Sequence, residues 1–122
     1  MALVVFNEGR ATWGGSLREK PANPAGRFYF FRLTLALDAD GSGGVRGEFT
    51  FLRADGAVNG VERVVGTWDE ASRMLELRGY ENTSGGPLDS YRLFVSADGN
   101  KGFSGTARGR GEWEDPVVGL PI

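Results

Sequence analysis

The side chains able to move protons in this 122-residue chain are few, because it contains no histidine and no cysteine. Histidine is the commonest general base and transition-metal ligand, and thiolates supply much of the remaining nucleophile and metal chemistry. Their absence excludes Ser-His-Asp hydrolysis, most zinc mechanisms, cysteine catalysis and any disulfide framework. What is left for acid–base work is Glu8, Glu62, Tyr29 and Tyr80. No spacing singles these four out, and each is expected on a solvated face. Neither a metal nor a cofactor is expected.

One segment has the look of a cation loop. Asp38-Ala-Asp40-Gly-Ser42-Gly-Gly-Val-Arg-Gly-Glu48 alternates oxygen-bearing residues on a glycine turn, which suits a hard cation. Its last carboxylate falls one place early and its flanks read as strands, so an ordinary hairpin turn accounts for it.

The aromatic residues divide into two sets. Trp13, Tyr29, Trp68, Tyr91 and Trp113 are the candidates for lining a ligand pocket, since such pockets are mostly apolar with aromatic walls. Plain core is the competing reading, because side chains can just fill a small barrel. Phe28, Phe30, Met74 and Phe94, with Leu52, fall instead on positions that the alternation points to water. Clustered apolar surface marks association, so these are the candidate interface of a homo-oligomer or of a complex with a partner.

These residues need strands to position them. Apolar residues recur at every second position in runs separated by Gly, Asp, Asn and Pro, and no segment shows a helical period. Phe31, Leu33, Leu35 and Leu37 form one buried face. The same parity turns Val45, Phe49 and Phe51 inward, then Leu75 and Leu77, then Tyr91, Leu93 and Val95, then Phe103, Ala107 and Trp113. Trp13 and Leu17 do the same near the start. Val58 to Trp68 stays ambiguous because its valines occupy both parities. A sheet with one dry face and no amphipathic helix to cover it must fold on itself. Short connections favour an all-β, antiparallel up-and-down meander of about 7–8 strands closed into a small barrel, with residues 1–122 forming a single domain.

An internal echo supports the meander. Residues Leu33 to Gly47 align without gaps to Tyr91 to Gly105, sharing a leucine, Ala-Asp-Gly and two later glycines, so each half carries an equivalent hairpin.

Gly66-Thr67-Trp68-Asp69, followed by a turn and the strand Arg73 to Gly79, resembles the glycine-x-tryptophan strand of the calycins, the lipocalin and avidin barrels. Those families carry the motif on the first strand, whereas here it lies mid-chain, so the resemblance transfers architecture and no binding residues. It implies an eight-stranded up-and-down barrel holding a small molecule at one open end.

The formal charge of −2 gives no positive field for a phosphate backbone, and nucleic acid is not an expected partner. The apolar opening Ala2 to Phe6 lacks a basic flank and is too short to span a bilayer, so no membrane association and a cytoplasmic location are expected. The function expected first is a non-catalytic binding barrel for a small apolar ligand, because the inward set carries almost no charge. Alternatives are an oligomerising interaction module using the outward aromatics, and a small cyclase or isomerase that acts by holding a substrate in a reactive shape.

Overall fold

A computed structural model of the protein describes residues 5–18, 28–86, 88–97, 102–109 and 115–122, with residues 28 and 115 described in backbone only. The described chain is all-β. Its strands are β1 (Arg10–Arg18), β2 (Phe28–Leu37), β3 (Gly44–Leu52), β4 (Val58–Asp69), β5 (Met74–Asn82), β6 (Ser90–Val95), β7 (Phe103–Arg108) and β8 (Asp115–Pro121). Each pairs antiparallel with the next, and β8 returns to β1, closing the barrel. Among the described residues no helix is long and apolar enough to cross a membrane.

Alternation decides which residues face inward, since successive side chains of a strand point to opposite faces. Leu33, Leu35, Val45, Phe49, Val64, Leu75, Leu93, Val95 and Val117 are wholly enclosed. The ambiguous segment resolves as β4, with Glu62 and Val64 buried, Trp68 half-buried at its end, and Val61 and Val65 half-buried on the opposite parity. Register shifts at Phe51/Leu52 and Arg63/Val64 re-aim this strand against both neighbours.

The sequence echo corresponds to real structural equivalence. Asp38 N–H donates to the Gly44 carbonyl at 2.8 Å, and Ser96 N–H donates to the Gly102 carbonyl at 2.7 Å, the same closing bond in the β2–β3 and β6–β7 hairpins. Past each turn, a Cβ on Gly47 or Gly105 would overlap a carbonyl oxygen of the preceding strand, of Thr34 or Arg92 respectively. Only glycine lets the neighbouring backbones come that close where the sheet coils. The Asp38–Glu48 segment is turn chemistry as well. Asp40 accepts the Ser42 N–H, which holds its carboxyl below the usual range, and Asp38 pairs with Arg46 at 3.4 Å.

The two barrel ends are finished differently. A tight turn at Asn7–Arg10, with positive φ at Glu8 and Gly9, sends the chain back over the end where β1 begins. There Phe6 meets Trp13 and Trp68 edge-on, at centroid distances of 6.3 and 5.9 Å. Arg73 closes the same end by donating to the Val95 and Ser96 carbonyls, with its guanidinium 5.8 Å from the Trp68 ring. At the other end stand Tyr29, Phe51, Glu62 and Tyr91.

Candidate functional site

Glu62 is an inward residue of β4, two positions before Val64, and only 1% of its surface is exposed. A bare carboxylate in an apolar interior is costly, and here both oxygens are occupied. Tyr91, enclosed on β6, donates its hydroxyl to Oε1, and the Asp89 N–H donates to Oε2 at 2.7 Å. Phe49 covers the pair from β3, its ring stacked 4.3 Å from that of Tyr91. On β5 the carboxyl end of Glu62 lies against Gly79, the register partner of Val64, where a Cβ would overlap Oε2, and the Gly79 N–H donates to the Asp89 carbonyl at 2.7 Å. Tyr80 is bulged out of the ladder beside it, so β5 yields space to the carboxyl without losing its bond to the start of β6.

The electrostatics follow from burial. Loss of water pushes the Glu62 carboxyl up to about 7; the two donors pull it down, and the nearby Asp89 charge adds to the rise. Tyr91 is raised well above the ordinary phenol value by burial first, and then by the negative charge of Glu62 and Asp89. No cation pairs with Glu62 among the described residues.

The four acid–base candidates are therefore not one site. Glu62 is enclosed, which corrects the expectation of a solvated face. Glu8 is exposed on the Asn7–Arg10 turn at the opposite end of the barrel, and Tyr80 is exposed at the bulge. Tyr29 is half-buried on the Glu62 end, edge-on to Phe51 at 6.2 Å. The ligand-lining set is also divided. Trp13 and Trp68 belong to the Phe6 end, Tyr29 and Tyr91 to the Glu62 end, and Trp113 lies outside the described residues. Sequence reasoning named Glu62 but missed its burial, and it missed the burial of Phe6 altogether. Counting back by twos from Trp68 through Gly66 and Val64 reaches Glu62, the signal that the scattered valines obscured.

Between the ends, rings cross the interior. Phe31 of β2 stacks on Phe103 of β7 at 6.2 Å, and Phe49 meets Tyr91, each pair joining walls three strands apart.

The outer wall carries the second candidate region. Register places Leu52, Phe30, Ser16, Val118, Ser104, Phe94 and Met74 in one outward row across seven strands. Phe30, Val118 and Phe94 are 52%, 51% and 45% exposed, whereas Leu52 and Met74 are half-buried. The Phe28 side chain lies outside the described residues. Along β8 the outward residues Pro116, Val118, Leu120 and then Ile122 are all exposed and apolar. An open groove runs beside them, lined by Gly14, Ser16, Ser104 and the walls of Phe30 and Phe94. Charge returns only at the margins and with both signs: Arg32 beside Glu48 on one side, and Arg92 opposite Glu76 on the other.

Neither a family model, a curated protein nor a solved structure matches the chain.

Proposed function

We propose that the protein is a self-associating β-barrel module that pairs through the outer face of β8. The observation that carries this reading is the uncharged outward row. Phe30, Phe94, Val118, Leu120 and Ile122 together leave on the order of 600 Å² of side chain in water, the upper end of what one patch on a soluble monomer shows. With its polar margins the face approaches the ~800 Å² per partner of a standard interface. The row is also self-matching. It reads Phe, Ser, Val, Ser, Phe in either direction about Val118, and a two-fold contact requires a patch that complements itself. Margins of mixed sign suit a second copy better than a partner of one charge. The rings crossing the interior favour the outer wall over the inside as the working surface. Kinship with the calycins belongs to the same proposal and is supported by strand number and meander order.

Size-exclusion chromatography with light scattering at roughly 100 µM, where micromolar affinities register, tests the reading. The expected result is a dimer that Val118→Arg converts to a monomer, with folding stability changed by less than about 0.5 kcal/mol because the site is outward. A wild-type monomer at that concentration, or a dimer that survives Val118→Arg, overturns it.

A further inference from the structure

The Glu62 tie has no part in self-association, yet among the described residues it is the one place where an ionisable group is sealed into the barrel. We propose that Glu62 is a proton-controlled latch on the start of β6: protonated, it holds Asp89 and Tyr91 shut over the barrel end, and its ionisation drives that end to open and admit water.

The geometry carries this. Glu62 reaches past β5 to grip the next strand, because Gly79 leaves the space and Tyr80 is bulged aside. Glu62 accepts from two donors on one short segment, the Asp89 N–H and the Tyr91 hydroxyl. The groups facing it are Phe49 from β3, Gly79 and the register partner Asn82 from β5, and Tyr91 and Asp89 from β6 and its approach. Asp89 is the only charged one, and it opposes ionisation. A carboxylate formed here gains no cation among the described residues; its two donors offset only part of the lost hydration, and the remainder is regained from water, which it reaches by parting the start of β6 from β4. At the Phe6 end the closing rings do not titrate, so the response is confined to one end.

The linkage sets the size of the effect. With Glu62 titrating near 7 when latched and at its ordinary 4.5 when hydrated, the local opening constant rises on the order of 50–100-fold between pH 5 and pH 8.

Residue-resolved amide hydrogen exchange at the two pH values, corrected for the intrinsic chemical rate, reads this directly. The expected result is that rise at Gly79, Asp89 and Tyr91, with none at Leu33 or Leu35, and its loss in Glu62→Gln. Gln keeps a carbonyl for the Asp89 N–H and an amide to donate to the Tyr91 hydroxyl. Tyr91→Phe provides a second arm should Glu62→Gln not fold: removing a donor that favours the carboxylate raises the latched value, so the upper limit of the rise must shift to higher pH while its onset stays in place. A flat profile in the wild type, an unchanged rise in Glu62→Gln, or no shift in Tyr91→Phe overturns the latch.

Discussion

The two ends of the barrel are closed by different physics. At the Phe6 end three aromatic rings meet edge to edge and Arg73 donates to two backbone carbonyls, so closure there rests on burial and on those bonds. At the Glu62 end closure runs through one carboxyl that accepts two hydrogen bonds. The first end is held by ring contacts and carbonyl bonds, whereas the second is held through a carboxyl that burial pushes up to about 7.

The largest effect that tests this contrast is on the ring side. Trp13 is 1% exposed between Phe6 and Phe103, and Trp13→Ala should cost about 3–5 kcal/mol in chemical denaturation. That loss should be the same at pH 5 and pH 8; a loss that depended on pH would mean the ends are not independent.

Next in size is the pH dependence of global stability. Glu62 titrates near 4.5 in the unfolded chain and near 7 in the folded one. Between those values the folded state holds the extra proton, so the contribution is complete below pH 4.5 and fades as the pH rises through 7. It amounts to about 3 kcal/mol, read as the difference between wild type and Glu62→Gln across a pH series of urea unfolding. A difference that stayed constant from pH 4 to pH 8 would remove the proton from the account.

The smallest effect concerns the space around the carboxyl. Gly79→Ala should cost about 1–3 kcal/mol, because its Cβ overlaps Glu62 Oε2. Made in a Glu62→Ala background, the same change should cost much less, and the coupling in that double-mutant cycle measures the contact. Additive losses would place the strain elsewhere.

How much of this was legible in the sequence varied by strand. Where β2, β5 and β6 alternate cleanly, from Phe31 to Leu35, from Leu75 to Arg78 and from Tyr91 to Leu93, alternation alone assigned Leu33, Leu77 and Tyr91 to the interior. In β4 it did not, because Val61, Val64 and Val65 read alike on both faces and a charged residue holds an inward position. The cost of burying Glu62 is met by Tyr91 and by a backbone amide far along the chain, and such a partnership leaves no local trace. Phe6 was hidden for a similar reason: its burial depends on the turn at Glu8 and Gly9, while the run it ends is too short to signal an element. The outward aromatics were visible as misfits one at a time, but their union into a row with Val118 needed the register across the closure.

That closure has a kinetic consequence. Seven of the eight ladders join neighbours in sequence, while β1 and β8 pair residues a hundred or more positions apart, as in Leu17 with Val117. Each hairpin can zip on its own after closing a short loop, but this seam must wait until nearly the whole chain is ordered, because the entropy of joining distant segments comes due before any of its bonds repays it. The seam is therefore the late step of folding and the natural place for the cylinder to split into an open sheet, with the uncharged face of β8 left at its torn edge.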